Sequence, residues 1–223
     1  MRAALCTIAV LIWAMPAISG KDGPADRAPR TNPADAIVQR MVEMNDWRAS
    51  ALHGYTATRR YVAENKRLGK RASVEVAERY AFPDTKALEV TAVEGSGVVR
   101  KRVIDKLIEA ELDSNTAENR GQSRVEPANY TFDLLGEEQA EGRDCYLLAA
   151  HPREKKKYLM DGRIWVDKED FAIVRIEGRP AKKPSFWVRE ATFVRRYQKI
   201  GPFWLTAELS SVSKILIVGS STL

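Results

Sequence analysis

Cysteine and histidine are scarce in this chain. Its 223 residues include two of each. Cys6 lies in the apolar N-terminal run, so removal of that run as a signal peptide would leave Cys145 alone and allow no intrachain disulfide. We interpret Cys145 as a buried, inert thiol. His53 and His151 are far apart and lack metal-ligand spacing, so the sequence predicts no metal site and no cofactor.

Motifs of catalysis and of nucleic-acid binding are also missing. The sequence has no nucleophile elbow or serine-lysine motif, and Gly95-Ser96-Gly97 has neither Walker nor dinucleotide-fingerprint spacing. The acidic pair Glu137-Glu138 lies at a predicted turn, where solvated carboxylates are common. Zinc-finger spacing and an aromatic-basic RNA signature are absent. We therefore predict that the protein is not an enzyme and has no nucleic-acid partner.

Long apolar runs are confined to the N-terminus. Residues 3–15 are almost wholly apolar, and residues 17–19 have the small side chains of a signal-peptidase site. We predict a cleaved signal peptide over residues 1–20 and hence export; an uncleaved N-terminal anchor is the alternative. The Pro-, Gly- and charge-rich residues 21–31 predict a disordered leader.

The remaining composition is that of one globular domain. The chain is 44% hydrophobic and 30% charged, enough for one sizeable core. We therefore expect residues 32–223 to form a single domain. A net charge of +6 and a pI near 9.3 suit contact with anionic headgroups or acidic partners.

Hydrophobic periodicity predicts the order helix, strands, helix, strands. Asn32 followed by proline predicts an N-cap and a helix that runs to about Trp47. Alternating residues between 52 and 93 predict antiparallel strands with one apolar face. Ser96 is a candidate N-cap for a helix over residues 98–111. After a polar stretch that favours a loop or a weak short helix, turn-separated strands return.

The stretch from Tyr158 to Glu177 is the most informative part of the chain. Two runs rich in β-branched and aromatic residues flank the polar segment Asp167 to Asp170, which predicts a hairpin. The sequence Gly-Arg-Ile-Trp-Val-Asp at residues 162–167, with a return strand ending in Arg-Ile-Glu at 175–177, resembles the hairpin of LolA-like outer-membrane lipoprotein-sorting proteins. This superfamily includes LolB-type acceptors and RseB-type regulators of envelope-stress sigma factors.

The resemblance implies an α+β fold, in which a strongly curved antiparallel sheet forms an incomplete β-barrel. An N-terminal helix and a helical insertion would cover its concave face, over an apolar cavity for acyl chains. The implied function is a periplasmic carrier of lipid or lipoprotein acyl chains, for transfer to or sorting at the outer membrane. Such a carrier would have inner- and outer-membrane exchange partners and transient membrane-surface contact. A lipid-sensing regulator that binds an anti-sigma partner is the alternative on the same fold.

Two features depart from the family's pattern. Arg79 lies four residues before Pro83, a loose match to the family's lid-holding arginine, so that role is not assigned to it. The chain also ends soon after the apolar run 215–218, where the family continues with further strand. One interpretation is a domain truncated at its C-terminus, with an incomplete last strand; a native end is the alternative.

The apolar faces of the predicted elements supply candidate residues for the cavity wall, since burying a methylene contributes about 0.8 kcal/mol. Ordinary core packing is the alternative for each candidate. The candidates are Met41, Met44, Val74, Val76, Tyr80, Phe82, Phe132, Leu134, Tyr146, Leu148, Phe203 and Leu205.

The hairpin and the basic residues before it have separate predicted roles. Lys155, Lys156 and Lys157 are candidate contacts for anionic headgroups or an acidic partner, with a solvated hairpin tip as the alternative. We interpret Trp165, Asp167 and Arg175 as residues that define the fold, and not as residues with a chemical role.

Overall fold

The computed structural model describes residues 32–65, 68–83, 85–114, 116–182 and 188–215. The predicted signal peptide and leader, and residues 216–223, lie outside this part of the chain. Within it, no helix has the length and hydropathy that a membrane span requires.

Helix α1 runs from Pro33 to Ala51, four residues beyond the predicted end. Its predicted N-cap is confirmed, because the Asn32 side-chain oxygen accepts a hydrogen bond from the backbone N–H of Ala34 at 3.0 Å. The same side chain donates to the carbonyl of Phe132 at 2.7 Å. Asn32 therefore both begins the helix and fixes it to the sheet below.

Replacing Asn32 by alanine should lower the free energy of unfolding by about 2 kcal/mol, since a lost cap costs about 1 kcal/mol and a lost hydrogen bond a similar amount. Urea unfolding measures the loss. Asn32→Asp is the matched variant: it keeps the capping oxygen, loses the donor to Phe132, and should lose about half as much. Equal losses in both variants would show that the cap contributes nothing.

The first sheet is an antiparallel meander of β1 (Gly54–Asn65), β2 (Lys70–Ala81) and β3 (Thr85–Gly95). One face carries the predicted apolar alternation of β2. Val74 and Val76 are buried there and pack against Val99 and Ile104 of the following helical segment. The opposite face of β2, with Glu75 and Arg79, is exposed.

The helical segment that covers this face spans residues 97–114. It consists of α2 (Gly97–Val99), a π-helical stretch (Arg100–Ile104) and α3 (Asp105–Ser114). Ser96 caps its start, accepting the N–H of Val99 at 3.5 Å as predicted. A short helix α4, Ala117–Ser123, follows in the polar stretch.

The second sheet contains six strands in sequential antiparallel order. Helix α1 packs on one face, where Val38 and Met41 meet Tyr130, Leu148 and Ile164 in the main core. The strands are β4 (Tyr130–Ala140), β5 (Arg143–Pro152), β6 (Met160–Asp167), β7 (Ile173–Pro180), β8 (Val188–Ile200) and β9 (Phe203–Ile215).

The antiparallel architecture agrees with the prediction, but strand pairing of the described residues gives two sheets where one curved sheet was expected. The physical reason is local. The chain between β3 and β4 is taken up by α2, the π-helical stretch, α3 and α4, so the meander is interrupted and these two strands do not pair.

The predicted hairpin is formed by β6 and β7, and its turn is built around Asp167. This side chain is 1% exposed. It accepts hydrogen bonds from the backbone N–H of Glu169 at 3.0 Å and of Asp170 at 2.6 Å, and pairs with Arg143 at 2.6 Å. The turn is one residue longer than expected, because Phe171 adopts a left-handed conformation (φ 49°) and β7 begins only at Ile173. Asp167 thus has the structural role assigned to it.

Trp165 lies on the same face of β6 as Asp167, whereas Ile164 and Val166 face the core under α1. The indole packs with Cys145 and Val174, and its N–H donates to Glu138. The guanidinium of Arg175 lies 5.0 Å from the ring centroid and covers it from solvent. Trp165 and Arg175 therefore also act in the fold.

Candidate functional site

A cleft of about 260 Å³ opens where the end of α1 meets the loops and strands of the second sheet. Most of its wall is aliphatic or aromatic, with one polar corner. The lining residues are Asn45, Arg48, Ala49, Leu52, Ala172, Ile173, Tyr197, Phe203, Trp204 and Leu205.

Helical spacing and one tight turn place these side chains together. Asn45, Arg48 and Leu52 continue the stripe of α1 that buries Val38 and Met41, three or four residues apart each time. On the sheet side, the turn at residues 201–202 returns the chain from β8 to β9. Phe203 and Leu205, which directly follow the turn, therefore form part of the cleft wall.

Arg48 is the charged residue of the polar corner. It is 7% exposed, and its guanidinium donates to the carbonyls of Asp170 and Pro202 and to the side chain of Asn45. Burial lowers the pKa of Arg48 from its ordinary value, although the nearby Asp170 and Asp167 carboxylates oppose the change. Arg48 thus joins α1 to two loops of the sheet and brings a positive charge to the cleft wall.

Asp170 supports the same corner from the loop between β6 and β7. Its carboxylate accepts the indole N–H of Trp204 at 3.0 Å and pairs with Lys199 at 2.6 Å. Burial by itself would raise the pKa of Asp170, but these two donors and Arg48 lower it overall. The carboxylate is therefore ionised at neutral pH and orients one aromatic wall of the cleft.

The predicted cavity residues do not lie together, and only two of them line the cleft. Phe203 and Leu205 line the cleft. Met41, Phe132 and Leu148 are buried in the core under α1, and Leu134 and Tyr146 pack against it. Met44 is partly buried on α1. The other four candidates belong to the first sheet or the turn after β2. Val74 and Val76 are in the core of that sheet, Tyr80 stacks on Tyr55, and Phe82 is exposed.

Sequence reasoning missed Arg48, Tyr197 and Trp204. A signal existed for Arg48, because it follows Met41 by seven residues on the buried stripe of α1. A cation at an apolar helical position is a marker of a buried polar contact. Tyr197 and Trp204 carry no comparable signal, since both occur in ordinary strand alternation.

A second charged cluster lies on the helix-covered face of the first sheet. The fully buried carboxylate of Glu78 contacts Arg59, pairs with Lys86 at 3.0 Å, and accepts the hydroxyl of Tyr55 at 2.6 Å. Glu111 of α3 binds the same two cations, with Lys86 at 2.6 Å. Four charges therefore connect α3 to β1, β2 and β3 where the apolar packing ends.

The basic residues before β6 lie in a loop that reaches α3. Lys157 donates to Asp113 at 2.9 Å, and the hydroxyl of the neighbouring Tyr158 contacts the same carboxylate. Lys156 pairs with Glu154 at 3.2 Å, whereas Lys155 is exposed. Their role toward headgroups or partners stays a prediction.

Reactive groups are few in the described part of the chain. It holds no cluster of three or more histidine, cysteine or acidic residues that could bind a metal ion. Burial raises the pKa of the Cys145 thiol to about 11, which disfavours the nucleophilic thiolate. His151 contacts Asp161 at 2.9 Å on the surface.

Comparison with known proteins returned one family model and several solved structures. The family model, described as an uncharacterized protein, matches residues 115–223. No curated protein matched the sequence. Among solved structures, a DUF1329 family protein from Desulfovibrio piger is 16% identical, with a TM-score of 0.41, 82% of this chain and 87% of that chain being covered.

Two further solved structures cover a similar share of this chain. A domain assigned to outer membrane lipoprotein sorting, from Vibrio parahaemolyticus, is 14% identical with a TM-score of 0.38, covering 79% of this chain and 86% of its own. A LolA superfamily protein from Nitrosomonas europaea is 12% identical with a TM-score of 0.35, covering 82% and 94%.

Proposed function

We propose that this protein is a periplasmic carrier that binds lipid or lipoprotein acyl chains in the cleft at the end of α1, for transfer to or sorting at the outer membrane. The observation that carries the proposal is the cleft itself: its wall is mainly aliphatic and aromatic, with the buried Arg48 at one corner. Each methylene that such a wall removes from water contributes about 0.8 kcal/mol to binding.

The size of the cleft restricts what it accepts. Its volume of about 260 Å³ lies just below the usual range for ligand pockets, roughly 300 to 1,000 Å³. It therefore suits one acyl chain or part of one. No described carboxylate forms an ion pair with Arg48, whose guanidinium binds carbonyl and amide oxygens. A carbonyl, carboxylate or phosphate of the ligand suits this corner.

A charge placed in the wall tests the proposal. Leu205→Glu should reduce the affinity for a fluorescent fatty-acid probe at least about tenfold, because an ionised carboxylate disfavours an apolar chain beside it. Fluorescence titration measures the change. Leu209→Glu is the matched control: Leu209 is on the same strand, is 50% exposed and lies outside the cleft wall. This variant should bind like the parent protein.

Two results would contradict the proposal that this protein is an acyl-chain carrier. One is a parent protein that neither takes up the probe nor yields lipid on extraction and mass spectrometry. The other is equal loss of binding in both variants, which would place the probe elsewhere. A preparation without lipid that retains one stoichiometric protein partner would support the regulator on the same fold.

A further inference from the structure

The helical segment 97–114 exposes more aliphatic surface than its packing on the first sheet requires. Val99, Ile104 and Ile108 face the sheet. Large aliphatic side chains elsewhere on the segment remain in solvent, with exposed fractions of 54% for Val98, 42% for Val103, 45% for Leu107 and 39% for Leu112. Single exposed aliphatic residues are common on protein surfaces, but four on one short segment need an explanation.

Cations alternate with these aliphatic residues. Arg100, Lys101, Arg102 and Lys106 lie between Val98 and Leu107. Lys101 and Arg102 are exposed and form no ion pair with any other residue that the structure describes. Lys106 pairs only with the exposed Glu109, at 2.7 Å. The segment also carries four carboxylates, at positions 105, 109, 111 and 113, so its four cations leave a formal net charge of zero. Three of these carboxylates pair with lysine or arginine. Positive charge is therefore concentrated at residues 100–102, next to the exposed aliphatic surface.

This combination favours a lipid surface over a protein partner. Protein interfaces are enriched in aromatic residues and arginine and depleted in lysine. Residues 97–114 contain two arginines, but they also contain two lysines and no aromatic side chain. Helices that lie in a membrane interface combine lysine and arginine with apolar side chains that enter the headgroup boundary. Opposite charge on anionic lipids supplies the long-range attraction.

We propose that residues 97–114 dock the protein on an anionic lipid bilayer. Val103 and Leu107 enter the headgroup region, and Lys101 and Arg102 contact lipid phosphates. The basic loop before β6 adjoins the same segment, since Lys157 binds Asp113 of α3. The docking surface shares no residue with the cleft, so it goes beyond the proposed acyl-chain binding and can fail independently of it.

Vesicle co-sedimentation tests this surface, with phosphatidylcholine vesicles that contain or lack phosphatidylglycerol. The parent protein should bind the anionic vesicles and not the neutral ones. The double variant Lys101→Glu/Arg102→Glu should lose at least about tenfold in partitioning, because two attractive charges become repulsive. Val103→Ser/Leu107→Ser keeps all charges and should lose several-fold through reduced insertion.

Arg60→Glu/Arg79→Glu is the matched control. It changes the net charge equally, and both residues are exposed on the opposite face of the same sheet. The control should retain binding, and so should Leu205→Glu, which damages only the cleft. Binding that is equal on neutral vesicles, equal loss in the control, or full binding by the serine variant would overturn the proposal. Circular dichroism confirms that each variant is folded.

Discussion

Asp167→Ala should lower the free energy of unfolding by about 3 kcal/mol, as expected when one partner of a buried ion pair is removed. The carboxylate is 1% exposed, pairs with Arg143 and accepts two backbone N–H groups of the β6–β7 turn. Without it, these donors lose their acceptor in a place that water reaches poorly. Urea unfolding at neutral pH measures the loss.

Glu169→Gln is the control for this experiment, because Glu169 pairs with the same Arg143 at 2.7 Å while being 79% exposed. An exposed pair contributes about 0.5 kcal/mol, so this variant should remain close to the parent protein. A similar loss in both variants would show that Arg143 acts through its surface contact, and that the buried turn contributes little.

The same carboxylate should contribute to acid sensitivity. Burial by itself would raise the pKa of Asp167, but Arg143 and the backbone donors lower it below its ordinary value. A group with a lowered pKa in the folded state stabilises the fold above its unfolded pKa of about 3.9, and this contribution is lost as the pH falls toward the folded value. Asp167→Asn should therefore show a shallower loss of stability as the pH falls from about 5 through the folded pKa of Asp167.

Local signals explain which parts of the fold were predictable from the sequence. Asn32 followed by proline specifies a helix start, and Ser96 after a glycine specifies another, because a cap depends on residues within one turn. The β6–β7 hairpin is similarly local. The separation into two sheets was not predictable, since it depends on whether β3 and β4 meet across a long helical connection.

The cleft could be predicted only in part. Phe203 and Leu205 were candidates because they alternate along a strand, and strand alternation is visible in the sequence. Their neighbours Arg48 and Ile173 come from α1 and β7, far away along the chain. Alternation identifies which face of a strand is apolar, but it does not identify which helix end or loop leaves space above that face.

Glu78 is another residue whose face, but not whose partners, could be predicted from the sequence. It stands at an inward position of β2, two residues after Val76, so strand alternation places a carboxylate among buried valines. A buried carboxylate requires partners. Those partners, Arg59, Tyr55 and Lys86, come from β1 and β3, and the sequence does not show that these side chains meet at Glu78.

Glu78→Ala should be the most destabilising of the variants proposed for the first sheet, with an expected loss of about 3 to 4 kcal/mol. It leaves Arg59 and Lys86, whose side chains are 26% and 11% exposed, with Glu111 as their shared carboxylate. It also removes the acceptor of the Tyr55 hydroxyl. Glu75→Ala, three residues earlier on the exposed face of β2, should cost less than about 0.5 kcal/mol.

A double-mutant cycle shows whether the loss comes from the charge cluster or from packing alone. Lys86→Met removes one buried cation and keeps most of the side-chain volume. If Glu78 and Lys86 interact as the 3.0 Å contact indicates, Glu78→Gln and Lys86→Met together should lose less than the sum of the single losses, by about 1 to 3 kcal/mol. Additive losses would mean that the two charges contribute independently. In that case Lys86 would be held mainly by Glu111 of α3, with which it pairs at 2.6 Å.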